Sequence, residues 1–170
     1  MKNIIIILLV SLLNLNSFSQ CKFIKNEVDE FTNKEMKQTG GKLIREFTGS
    51  NANIIFDKQG ENFFITINYN VQYAKAMVVG TKDITFIKLK NDSVIKITPQ
   101  EIASGELITI SNITTSRILI VYRVEKTTLE YLLTQDILKL RISFTDGYKE
   151  HDVKSKFNKN IKKSISCILK

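Results

Sequence analysis

The chain has 170 residues, with 25 Lys or Arg against 17 Asp or Glu, a formal net charge of +8, two cysteines, one histidine, one proline and no tryptophan. Two cysteines and a lone histidine at unrelated spacings exclude a zinc pattern, and a composition rich in Ile, Thr, Asn and Lys points to strands and solvated turns, with no disordered tract. The positive charge favours weak attraction to polyanions and carries no specificity by itself.

Met1 and Lys2 lead into the apolar run Ile4–Val10, extended by Leu12, Leu13 and Leu15. The small polar tract Ser17-Phe18-Ser19-Gln20 follows. A positive start, a short apolar segment and a small-residue exit read as an export signal. A membrane-spanning helix needs about 20 apolar residues, and Ser11 and Asn14 interrupt this run. Cleavage after Ser19 predicts a signal peptide over 1–19 and a single domain over 20–170, periplasmic or secreted, with no transmembrane segment left. Acylation of Cys21 would want an aliphatic residue three positions earlier and a small one directly before it. Phe18 and Gln20 stand there instead, which argues against a lipoprotein. In an oxidising compartment an even cysteine count favours pairing. The expectation is a Cys21–Cys167 bridge closing nearly the whole mature chain, against the alternative of one exposed and one buried thiol.

In chain order, strands are predicted near 22–29 and 35–47, joined by the turn Thr32-Asn33-Lys34, with Gly40-Gly41 bulging or breaking the second. A short strand at 53–56 is followed by a turn over Asp57–Gly60. Then comes the clearest alternation: Phe63, Ile65, Ile67, Tyr69 and Val71 on one face, Thr66, Asn68 and Asn70 on the other. Residues 73–81 read as strand or loop. Strands at 84–90 and 94–98 flank the turn Asn91-Asp92-Ser93, and Pro99 closes the unit. Strands at 107–113 and 117–124 are predicted across a turn at 114–116. Thr127 and Glu130 fit a capping box, opening a short helix over about 127–134. A strand at 137–144 precedes the turn Asp146-Gly147. Asp152 then caps a terminal helix, about 152–168, with Val153, Phe157, Ile161 and Ile165 along one face. The fold class is α+β: a mainly antiparallel sheet with both helices packed on one face.

Candidate chemistry is sparse. The terminal helix carries Lys154, Lys156, Lys159, Lys162 and Lys163 with no acid after Asp152. That is either a polyanion-binding or membrane surface or the solvated face of a sheet-packed helix. Nucleic acid is disfavoured, because no aromatic interleaves these lysines. His151 beside Asp152 reads as a surface histidine in the capping region, and no Gly-x-Ser-x-Gly elbow accompanies it. Glu27 and Asp29 share a strand face, where charges also discourage edge pairing. Phe64, on the otherwise polar side of its strand, and Tyr73 are candidates for a partner surface, with core packing the alternative for Phe64. No catalytic residue, cofactor or metal site is assigned.

The stretch CKFIKNEVDEFT from Cys21 to Thr32, together with Leu138–Phe144 and Ser166–Leu169, resembles small exported proteins of Bacteroidota that have no known function. The resemblance implies a Gram-negative envelope or secreted setting and supplies no functional residue. The expectation is therefore a non-enzymatic binding or structural module recognising a protein or an envelope component. The alternatives are a polyanion or membrane-surface binder using the terminal lysines, and a small-ligand carrier with a pocket between sheet and helix.

Overall fold

The computed structural model describes residues 21–46, 49–72 and 76–170; the expected signal segment 1–19 and Tyr73 lie outside the described residues. In chain order the strands are β1 (Lys25–Val28), β2 (Glu35–Arg45), β3 (Asn51–Gln59), β4 (Asn62–Val71), β5 (Val78–Val79) and β6 (Thr85–Leu89). There follow β7 (Val94–Ile97), β8 (Ala103–Ser104), β9 (Glu106–Ile110), β10 (Ile113–Val124), helix α1 (Lys126–Thr134), β11 (Ile137–Phe144), β12 (Gly147–Asp152) and helix α2 (Ser155–Ile168). One antiparallel sheet runs in the order β1-β2-β3-β4-β10-β9 and a second in the order β12-β11-β6-β7, while β5 pairs with β8. The architecture is α+β, as the strand and helix patterns predict.

Alternation decides which side of each strand is buried. Phe63, Ile65, Ile67 and Tyr69 of β4 are buried, with Ala52, Ile54 and Phe56 from β3 and Ile118, Ile120 and Tyr122 from β10. The inner face of the smaller sheet adds Ile87, Leu89, Leu140 and Ile142, so one core lies between the sheets. Helix α2 completes it by burying Phe157, Ile161, Ile165 and Ile168, which recur along one helical face.

Helix α2 docks on β2 over the stretch from Thr39 to Gly41. Both Gly40 and Gly41 remain in the strand, paired with Ile55 and Ile54, and the register shift falls between Lys42 and Ile44. A Cβ on Gly41 would make an ordinary 3.9 Å contact with the Asn160 Cβ of the helix, whereas one on Gly40 would point to the opposite face of the sheet, 2.9 Å from the Ile54 carbonyl oxygen and 3.3 Å from Ile24. Across this flat patch the Thr39 hydroxyl donates to the Ser164 carbonyl at 3.0 Å, and the Ser164 hydroxyl donates to the Gly40 carbonyl at 3.2 Å. Deeper in, the buried Asn158 amide accepts from the Ile137 N–H at 2.9 Å and donates to the Ile137 carbonyl at 3.1 Å. A buried polar side chain is tolerable because both ends are satisfied. Cys21 and Cys167 form a disulfide with a Cα–Cα distance of 5.7 Å, which ties the start of the described chain to the last turn of α2.

Several local expectations are corrected. The turn expected at 57–60 is shorter, because β3 continues to Gln59 and Gly60, at φ +59°, opens the turn into β4. The turn expected at 114–116 lies instead at Ser111-Asn112, both at positive φ. Such a pair matches the twist of a two-residue hairpin, and Thr114–Ser116 belong to β10. The capping box at Thr127 does not form: Glu125 is the N-cap of α1 without a side-chain cap, and the Thr127 hydroxyl donates to the Glu125 carboxylate at 3.2 Å. Asp152 does not cap the last helix either, since it ends β12 and Lys154 occupies the cap position. β12 itself is unforeseen. Its mostly polar sequence carries no apolar alternation, and the hairpin combines backbone pairing with β11 and the cross-strand ion pairs of Glu150 with Arg141 and Lys139.

Candidate functional site

The outward residues of the six-stranded sheet form the broadest organised surface. Register places Asn51 opposite Asn70 and Asn53 opposite Asn68. It then aligns Asn68 with Leu119, and Asn70 with Arg117. The Asn70 side-chain amide donates to the Oδ1 atoms of Asn51 and Asn68 at 3.2 and 3.3 Å, and Arg117 Nε donates to Asn68 Oδ1 at 3.4 Å. This ladder orders the amides while leaving polar atoms facing outward, each asparagine offering both a donor and an acceptor. Apolar groups interrupt it: Ile55 and Val121 flank Thr66 from either side, and Leu119 is 48 % exposed. Near β1, Gly40 leaves a hollow of about 300 Å³ lined by Ile24, Lys42, Asn53, Ile55 and Asn68, and Ile24 at its rim is 62 % exposed.

Phe64 lies on this outer face, half-buried between Asp57 and Arg123 in the neighbouring strands. It is therefore not packed beneath a helix. Burial pushes the Asp57 carboxyl above its usual range, opposed by a hydrogen bond from the Gln38 amide at 2.9 Å.

His151 is not the surface histidine that its neighbours in sequence imply. It is 6 % exposed on the inner side of β12. Its Nε2 lies 3.0 Å from the Tyr69 hydroxyl and its Nδ1 lies 2.5 Å from the Glu46 carboxylate. Burial raises the Tyr69 hydroxyl above its ordinary range, with the Glu46 charge adding to the effect and a hydrogen bond with Ser50 opposing it. The chain of groups joins β4 of the larger sheet to β12 of the smaller one and to the segment after β2. Tyr69 is only 1 % exposed and the Glu46 side chain 35 %, so the phenol and imidazole are buried while the carboxylate reaches the surface, and the three act as a tie between sheets. Sequence reading missed it because a histidine on a polar strand leaves no periodic signal.

The lysines of α2 divide. Lys162 is engaged, its ammonium 2.7 Å from the Asp136 carboxylate, which fastens α2 to the segment before β11. Lys156 lies over the Phe157 ring at 5.4 Å from its centroid. Lys154 is the exposed N-cap, and Lys159 and Lys163 are exposed farther along the helix. The recess between α2 and β2 is a surface cleft of about 280 Å³ lined by Lys22, Thr39, Gly40, Asn160, Lys163 and Cys167, not an enclosed ligand chamber. Among the described residues no helix is long and apolar enough to cross a membrane, and no group of three or more His, Cys, Asp or Glu is placed to hold a metal ion. Comparison with known protein families, curated proteins and solved structures finds no match.

Proposed function

We propose that the chain is an exported, non-enzymatic binding module that recognises a protein or envelope component through the outer face of its six-stranded sheet. The observation that carries this reading is the exposed Leu119 set beside the Asn51–Asn53–Asn68–Asn70 ladder and the glycine-floored hollow. Apolar contact supplies affinity and ordered amides supply direction, the division found in protein interfaces. The disulfide supports an oxidising, extracytoplasmic setting.

Co-sedimentation of the purified chain with detergent-free envelope fractions tests the reading. Burial of a leucine side chain stabilises a complex by about 1.5–3 kcal/mol, so Leu119→Glu should weaken binding at least about tenfold. Tyr148→Glu, at a side chain 61 % exposed on the smaller sheet, should leave binding unchanged. Equal loss in both variants, or loss in neither, refutes the assignment of the surface. Turnover of a hydrolase substrate panel that disappears in His151→Ala refutes the non-enzymatic reading.

A further inference from the structure

The structure assigns a second surface, independent of the sheet face: we propose that the disulfide assembles a cationic ledge that binds a linear anionic polysaccharide. Successive helical residues turn by about 100°, so Lys156, Lys159 and Lys163 share one face of α2. Cys167 lies on that face one turn beyond Lys163. Its bridge to Cys21 holds the N-terminal segment beside the helix, and Lys22, the next residue, shares a cleft with Lys163 and Asn160. The row from Lys156 to Lys163 is about 10 Å long at 1.5 Å per residue, and Lys22 continues it from a different part of the chain.

These four cations are available to a ligand. Among the described residues, Lys22, Lys156, Lys159 and Lys163 are absent from the ion pairs, whereas Lys162 is held by Asp136. The hydroxyls of Thr39 and Ser164 in the cleft are already bonded to the backbone. The groups that meet an anion are therefore the Lys22 and Lys163 ammoniums and the Asn160 amide, with Lys159 and Lys156 following along the helix.

The occupant follows from shape and charge. A linear row suits a polymer bearing regularly spaced sulfates, phosphates or carboxylates better than it suits an isolated ion. A membrane surface fits less well, because an interfacial helix inserts apolar side chains into the headgroup region. Here Phe157, Ile161, Ile165 and Ile168 are committed to the core. No exposed aromatic stands among the lysines to stack on nucleic-acid bases.

The coupling between bridge and ledge separates this site from a simple lysine stripe. Calorimetric titration of the full chain with size-defined heparin fragments should give saturable binding at low salt that weakens as salt rises. Lys22→Gln and Lys163→Gln should each weaken it about fivefold to tenfold. Lys154→Gln, at the N-cap at the end of the helix away from the bridge, should not alter it. The Cys21→Ser/Cys167→Ser variant, shown to be folded by its near-ultraviolet dichroism, should lose as much affinity as Lys22→Gln, and adding Lys22→Gln to it should change nothing further. A folded bridge-free variant with full affinity, or a silent Lys22→Gln, overturns the proposal. Binding to vesicles with one-third anionic lipid that equals binding to heparin overturns the polysaccharide assignment in favour of a membrane. Competition by inorganic sulfate alone at low millimolar concentration overturns the linear site in favour of a single-ion cleft.

Discussion

Converting Cys21 and Cys167 to serine opens a cross-link with a sequence separation of 146 residues. Apart from the placement of Lys22, the native hydrogen bonds nearby are made by groups other than the bridge. β1 keeps its register of Lys25 with Gln38 through Val28 with Glu35, and α2 stays seated by the Thr39–Ser164 and Asn158–Ile137 hydrogen bonds. The loss therefore falls mainly on the unfolded chain, which regains the entropy that the loop removed. The loop-entropy relation gives about 17 cal/mol/K for a loop of this size, or about 5 kcal/mol at 25 °C. That is comparable with the whole stability of many domains, about 5–15 kcal/mol. Urea unfolding followed by circular dichroism reads it directly. With a slope of about 2 kcal/mol/M, the midpoint should fall by about 2.5 M, and the slope should rise because the opened unfolded chain exposes more surface. A fall below about 0.5 M would refute the entropic reasoning. Amide exchange then locates the bridge's effect: protection lost only at Lys25–Val28 would mean that it merely tacks down β1, whose Val28 is 59 % exposed and whose preceding Ile24 is 62 % exposed, so that both contribute little burial.

Two further outcomes test the electrostatics and the buried network. The Lys37 and Lys58 ammoniums, 2.6 and 2.8 Å from the Glu35 carboxylate, hold its carboxyl down to about 2. Because the unfolded group titrates near its ordinary 4.5, the unfolded state binds more protons between these values. The contribution of Glu35 is complete above that ordinary value and is lost as the pH falls towards 2. Urea midpoints across this range should show a flatter acid limb in Glu35→Gln; an unchanged limb refutes the pairing. His151→Leu takes from the buried Tyr69 hydroxyl its imidazole partner and should cost about 2–3 kcal/mol. The double variant with Tyr69→Phe should recover about 1 kcal/mol as interaction energy in a double-mutant cycle, and strictly additive losses would contradict a working contact.

Much of the larger sheet was legible in the residues. Phe63, Ile65, Ile67 and Tyr69 alternate so regularly that the buried face of β4 follows from period alone, and Phe157, Ile161 and Ile165 do the same for α2. Strand limits were less legible where the deciding feature was backbone conformation. Thr114–Ser116 look like turn residues, yet Ser111 and Asn112 adopt the positive φ values that make the turn. The outer amide ladder was half visible: Asn68 and Asn70 were placed on one face, but their alignment with Asn51, Asn53 and Arg117 needed the register. Lys162 looked equivalent to its neighbours until Asp136, distant in sequence, was brought within 2.7 Å of it.

By itself the sequence determined the α+β class, the inner faces of the main strands, the terminal amphipathic helix and the one cysteine pairing available. These follow from local spacing, because a side chain's direction repeats every two residues in a strand and about every 3.6 in a helix. Only the tertiary structure decided that His151 lies in the core against Tyr69, and that Lys22 lines one cleft with Lys163 beside the bridge. Periodicity states which face of an element turns inward. It does not state which distant residues that face, or its outward counterpart, will meet, since those neighbours depend on strand order and on where the helix docks.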